Sequence, residues 1–129
     1  MIVLDTHVWL WWVNSLPHKL SPEFVERLEQ GNVRVGIASI SCLEVALLLK
    51  KNRIELPCSL DHWFDLALSS SRIELLPLTP QIAHLSSNLP DIHKDPADRI
   101  IITTAMLAGA TLATADEAVR RHTNVEFAW

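Results

Sequence analysis

Four acidic side chains occupy positions where an unpartnered acid is costly. Asp5 directly follows the apolar run Ile2-Val3-Leu4, and Asp116 closely follows a second such run, Thr111–Thr114. Glu44 lies within a strongly apolar stretch, and its neighbours at spacings of three and four are Ile40, Leu47 and Leu48. On a helix these share its face, so the acid is expected to point inward. Asp98 sits in the first turn after Asp95-Pro96, and Ile101, Ile102 and Ala105 continue its face. Burying one unpaired carboxylate costs several kcal/mol or makes it take up a proton, and each added acid raises the pKa of the others. A divalent cation removes the conflict. Hard carboxylate oxygens suit Mg²⁺ or Mn²⁺, which can activate water and steady negative charge on a phosphoryl group in transition. Convergence of positions 5, 44, 98 and 116 is the pattern of metal-dependent phosphodiester hydrolysis.

Taken singly, each acid also has a plain structural reading. Asp5 suits a turn after a strand, and Glu44 suits a pairing with an arginine or an outlet to solvent at a helix edge. Asp98 suits the positive end of a helix dipole, although Asp95 is the better cap. Asp116 serves equally well as N-cap for a helix Glu117–Arg121. The functional reading rests on their convergence.

The elements that must position these acids follow from pattern and punctuation. Ile2–Leu4 reads as a strand buried on both faces, and Val8–Val13, with Trp9, Trp11 and Trp12, reads as a short helix ended by Leu16-Pro17. Ser21-Pro22 and Gly31-Asn32 bracket a helix over about Pro22–Gln30. Val33–Gly36 reads as a second strand, after which Ser39 is expected to cap a helix running to about Lys51. Pro57 and Ser59 open another helix through Asp61–Ser69, and Ile73–Leu76 reads as a third strand. Thr79-Pro80 and Asp95-Pro96 repeat the cap-plus-proline pattern, and Thr111–Thr114 and Val125–Trp129 complete the strands. This alternation predicts one α/β domain over residues 1–129, with a mainly parallel sheet of about five strands covered on both faces. In such sheets the ligand crevice lies at the carboxyl ends of the strands, where Asp5 and Asp116 fall.

Composition excludes several alternatives. The chain has 129 residues, 49% hydrophobic and 20% charged, with 3 Gly and 7 Pro, which is the balance of a packed domain and not of a disordered tail. A net charge of −4 without a basic run excludes a polybasic nucleic-acid binder; a metal-dependent nuclease is untouched, since the metal supplies the positive charge. Two unpaired-looking cysteines, Cys42 and Cys58, fit a reducing cytoplasm. The apolar opening contains Asp5 and His7 and falls short of a bilayer span, so no targeting or membrane segment is expected.

Four blocks together carry a family resemblance: Ile-Val-Leu-Asp-Thr-His-Val-Trp-Leu-Trp-Trp (2–12), Ser-Ile-Ser-Cys-Leu-Glu-Val-Ala-Leu-Leu (39–48), His-Lys-Asp-Pro-Ala-Asp-Arg-Ile-Ile (93–101) and Leu-Ala-Thr-Ala-Asp-Glu (112–117). In this order, over nearly the whole chain, they resemble the PIN-domain ribonucleases, most closely the VapC-like toxins of bacterial type II toxin–antitoxin pairs. The resemblance implies a three-layer α/β/α sandwich, an acidic Mg²⁺ or Mn²⁺ pocket and endonucleolytic cleavage of RNA to 5′-phosphate and 3′-hydroxyl ends. It assigns the acidic quartet to Asp5, Glu44, Asp98 and Asp116, with Asp5 and Asp98 in the best-matching blocks. It also implies a small antitoxin whose C-terminal segment covers the acidic pocket. Thr6 and Thr114 flank the acids and suit either fixing a carboxylate rotamer or bonding a phosphate. Arg99 suits phosphate, a pocket acid or a structural ion pair.

The six histidines (7, 18, 62, 84, 93 and 122) show no zinc-type spacing, so His7 and His93 are read as structural by default. Cys42 is read as a small core residue with no base to activate it. The helix Ile40–Leu49 is apolar nearly all round, and the tryptophans at 9, 11 and 12 exceed what one core face buries; a homodimer and an antitoxin groove would use the excess. A PIN-like binding module without catalysis is the second reading, disfavoured by the complete quartet. An aspartyl phosphotransferase of the haloacid-dehalogenase type needs Asp-x-Asp after the first strand, and Asp5-Thr6-His7 lacks the second acid.

Overall fold

The computed structural model describes residues 1–16, 18–90 and 94–120. Four strands, β1 (Ile2–Leu4), β2 (Val35–Ala38), β3 (Ile73–Leu76) and β4 (Thr111–Ala113), form one sheet in the order β3-β2-β1-β4. Every pairing is parallel, with Leu4 opposite Ile37 on one side and Ala113 on the other. A parallel sheet requires crossovers, and among the described residues six helices supply them, α1 (Thr6–Val13), α2 (Pro22–Gln30), α3 (Ser39–Lys50), α4 (Leu60–Ala67), α5 (Pro80–Ser87) and α6 (Pro96–Leu107), while α7 (Glu117–Arg120) follows β4.

Alternation along β1 separates the two apolar layers. Ile2 and Leu4 belong to a core with Val8, Trp9, Phe24, Leu28, Val45 and Trp63, whereas Val3 joins Ile101, Ile102, Ala105, Leu112 and Val119 on the other face. The result is the α/β/α arrangement expected. The fifth strand expected at Val125–Trp129 lies outside the described residues.

Helix starts follow local chemistry. The side chains of Ser21, Ser59, Thr79 and Asp95 each accept a backbone N–H in the first turn, and Pro occupies the first helical position after Ser21, Thr79 and Asp95. Several boundaries differ from expectation: α1 starts at Thr6 and not Val8, and β4 ends at Ala113 and not Thr114. The second strand covers Val35–Ala38 instead of Val33–Gly36, because its register is set by β1 and β3 on either side. The strand therefore runs directly into α3, and Ser39 is its first residue and not its cap. The Ser39 hydroxyl instead accepts the N–H of Leu78 at 3.0 Å, tying the segment after β3 to the start of α3.

Strand order places β1 between β2 and β4: the chain leaves β1 toward β2 and β3, and the crossover from β3 returns past β1 to β4 on its other side. The crevice of such a sheet opens at that switch point, beyond the carboxyl ends of β1 and β4.

Candidate metal centre

A cleft of about 400 Å³ opens at this point, lined by Asp5, Thr6, His7, Trp11, Glu44, Asp95, Asp98, Ala115 and Asp116. Asp5 stands between the end of β1 and α1 and caps that helix: its Oδ1 accepts the Val8 N–H at 2.9 Å. Its other oxygen accepts the hydroxyl proton of Thr114, which directly follows β4. The neighbouring strands β1 and β4 thus hold one carboxylate from both sides.

Glu44 reaches the cleft from α3 and is held by α1. The Thr6 hydroxyl, itself buried, donates to Glu44 Oε1 at 2.5 Å and lies 3.0 Å from the buried Ser41 hydroxyl. The β-branched threonine has few rotamers, so this bond fixes the glutamate's reach. Thr6 and Thr114 therefore act on carboxylates, the first of the two roles their sequence positions suggested.

From α6 come two acids. Asp95 caps the helix, accepting the Ala97 N–H at 3.0 Å, and Asp98 follows one turn later. Carboxylate oxygens of Glu44, Asp95 and Asp98 all lie within 4.8 Å of one another. Asp95 was assigned to capping alone in the sequence. A cap uses one acceptor site of a carboxylate that has about four, and the i, i+3 spacing from Asp98 is the signal that marks it as a neighbour.

Asp116 lines the cleft but lies outside that tight trio. It is exposed, its N–H is held by the Thr114 hydroxyl at 3.1 Å, and its carboxylate accepts the Val119 N–H at 3.4 Å, as a cap of α7 would. Arg99 points elsewhere. Its guanidinium donates to the carbonyl oxygens of Ser86 at 3.0 Å, Leu89 at 2.5 Å and Pro90 at 3.1 Å, clamping the chain that leads from α5 toward α6. It is not among the residues that line the acidic cleft. His93 lies outside the described residues.

The electrostatics reflect burial first and neighbouring acids second. Burial pushes the Asp5 carboxyl above its ordinary range, and the Asp116 charge adds to the rise; the Thr114 and Val8 hydrogen bonds and nearby His7 oppose it. Glu44 is raised in the same way by burial, with Asp95 and Asp5 adding and the Thr6 bond and His7 opposing. Both groups lie in a setting that disfavours their charged forms and would be relieved by a cation. Burial raises the thiol of Cys42, a partly buried helix residue packed against the core, which disfavours its thiolate.

A model of the PIN domain matches residues 2–124, and the chain belongs to the PIN-domain family. Within that family it is 33% identical over 122 residues to Ribonuclease VapC22 of Mycobacterium tuberculosis, covering 94% of this chain and 91% of that protein. Solved structures share the fold at lower identity. The VapBC2 complex of Rickettsia felis, bound to a promoter DNA fragment, matches with a TM-score of 0.70 at 21% identity over 99% of this chain and 98% of that one. A toxin–antitoxin complex from Klebsiella pneumoniae matches with a TM-score of 0.66 at 20% identity, covering 97% and 95%.

Proposed function

We propose that this chain is the toxin of a type II toxin–antitoxin pair, a Mg²⁺- or Mn²⁺-dependent endoribonuclease. The observation that carries the reading is the convergence of Glu44, Asp95 and Asp98 within 4.8 Å at the same cleft as Asp5 and Asp116. Identity to Ribonuclease VapC22 supports the ribonuclease activity. The three acids that lie within reach of one another offer only hard oxygen donors, which fits Mg²⁺ or Mn²⁺.

In this reading the trio Glu44, Asp95 and Asp98 holds the ion together with Asp5, and Asp116 acts at the rim, on a second ion or through water. The ion, when bound, supplies Lewis-acid charge to the phosphoryl oxygens and lowers the pKa of water. The chain itself contributes orientation. Thr114 holds Asp5 and Thr6 holds Glu44, so two carboxylates are aimed before substrate arrives, which is what lowers the reorganisation cost of the reaction. Water would attack phosphorus in line as the P–O3′ bond breaks, its proton passing to solvent and the leaving 3′-oxygen taking one up as a hydroxyl, so no protein nucleophile is needed.

Two partners follow. An apolar groove of about 1480 Å³, lined among others by Leu10, Trp12, Leu48, Leu56 and Trp63, adjoins the acidic cleft through His7 and Trp11, which line both. It would seat the apolar face of an antitoxin segment, whose basic residues would meet the acids. On the outer side of α3, Leu43 and Leu47 are 53% and 41% exposed one turn apart, a start for a homodimer interface. Calorimetric titration of the antitoxin-free protein with Mn²⁺, alongside cleavage of total RNA with and without EDTA, tests the proposal. It expects saturable binding lost in Glu44→Gln and cutting abolished by EDTA; absence of both in folded protein sinks it.

A further inference from the structure

We infer that Trp11 and His7 form a stacking wall for an unpaired RNA base next to the scissile phosphate. This rests on reading the acidic cleft as the place of phosphodiester cleavage. The two residues sit four apart on α1, so they share one face, while Trp9 turns the other way into the core. Their ring centroids are 6.1 Å apart with planes tilted by 53°. Among the nine residues lining the acidic cleft they are the aromatic ones, and the rest are five carboxylates, Thr6 and Ala115.

A wall of carboxylates repels the ribose-phosphate chain except where a cation sits, so a strand needs other holds nearby. The Lys19 ammonium lies 5.5 Å from the centre of the Trp11 ring and brings positive charge to this wall. An aromatic face beside a lysine is the combination by which single strands are held with little regard to sequence. Paired bases are already stacked, so the wall favours single-stranded or loop RNA. The other tryptophans do not offer this: Trp9 and Trp63 are buried, and Trp12 lines the apolar groove but not the cleft, with its indole N–H toward Glu29 at 3.4 Å. Trp129 lies outside the described residues.

The test is fluorescence anisotropy in the Asp98→Asn background with Mg²⁺, which removes cutting and one repelling charge. The probes are a labelled adenosine RNA 12-mer and an abasic 12-mer with the same phosphates. The parent is expected to prefer the base-bearing strand, and Trp11→Ala to weaken that strand's binding by about 5- to 150-fold, the range for losing one stacked base, down toward the abasic level. Trp11→Phe should keep most of the preference. Equal affinity of the parent for both probes overturns the inference, and needs no variant at position 11 to fold. A preference that survives Trp11→Ala, or is lost equally in Trp11→Phe, overturns it too, as does loss of antitoxin binding with RNA binding unchanged. Wild-type protein that cuts no RNA sinks the nuclease reading instead, whatever the anisotropy shows.

Discussion

Asp5→Asn should make the metal-free protein more stable while removing its function. Asn is as good an N-cap as Asp, so the bond from Val8 N–H is kept. The second oxygen becomes an NH₂, and the Thr114 hydroxyl, which can accept as well as donate, turns to meet it. What disappears is a buried charge among other acids. Its effective penalty is several kcal/mol, partly offset by two hydrogen bonds, so the net gain is on the order of 1–2 kcal/mol, or about 3–8 °C in Tm for a domain of this size.

The pH dependence fixes the sign. Burial raises the folded-state pKa values of Asp5 and Glu44 above those of the unfolded chain. The stability linked to these groups is therefore fully present below the unfolded carboxylate range and is lost as pH rises through the raised folded values. The advantage of Asp5→Asn should vanish in acid, grow as pH rises through that range and level off toward neutrality. Saturating Mg²⁺ should reverse the order, since an ion at 100 times its Kd adds about 2.7 kcal/mol to the protein that binds it. Thermal unfolding in EDTA and in Mg²⁺ from pH 4 to 8 measures all three. A variant less stable than wild type in EDTA at pH 7.5 would refute the reasoning, because it would mean the Asp5 charge is satisfied without a cation.

Further outcomes follow from the same contacts. Thr6→Val removes the bond that holds Glu44 and should lower kcat/KM by about 10- to 100-fold, the worth of a hydrogen bond to a charged group; Thr6→Ser should recover most of it in the same cleavage assay. Asp95→Ser keeps a capping oxygen but removes a carboxylate, so chemical denaturation should shift by no more than about 0.5 kcal/mol while Mn²⁺ affinity by calorimetry drops about 10-fold. Arg99→Lys cannot reproduce a guanidinium shared among several carbonyls, and urea unfolding should show a loss of about 2–3 kcal/mol, barely less than for Arg99→Ala.

What could be read from the sequence was local. Caps followed by proline at Ser21, Thr79 and Asp95 mark helix starts because side chain and first turn are neighbours in the chain. Ile73–Leu76 reads as a strand from its own residues. Register is not local, and β2 shifted by two residues because β1 and β3 fix where Val35–Ala38 must pair. The same shift moved Ser39 from cap to first helical residue. The placement of Asp5 and Asp116 at one cleft follows from the parallel sheet, whereas the face expected to turn Glu44 inward is only partly buried, since its neighbour Leu47 is 41% exposed. Asp95 was harder to see, since its capping role accounted for it without any site. The carbonyls that Arg99 meets lie at the end of α5 and just after it, 9 to 13 residues away, and no spacing rule connects them.

The most direct measurement compares end-labelled RNA incubated with antitoxin-free protein and with its folded Asp98→Asn variant, in Mg²⁺ or Mn²⁺ and in EDTA, with the cut ends mapped. Cuts bearing 5′-phosphates, present only with metal and lost in Asp98→Asn, are the predicted result. RNA left equally intact by both proteins, or cut equally by both or in EDTA, would contradict a metal centre built on these carboxylates.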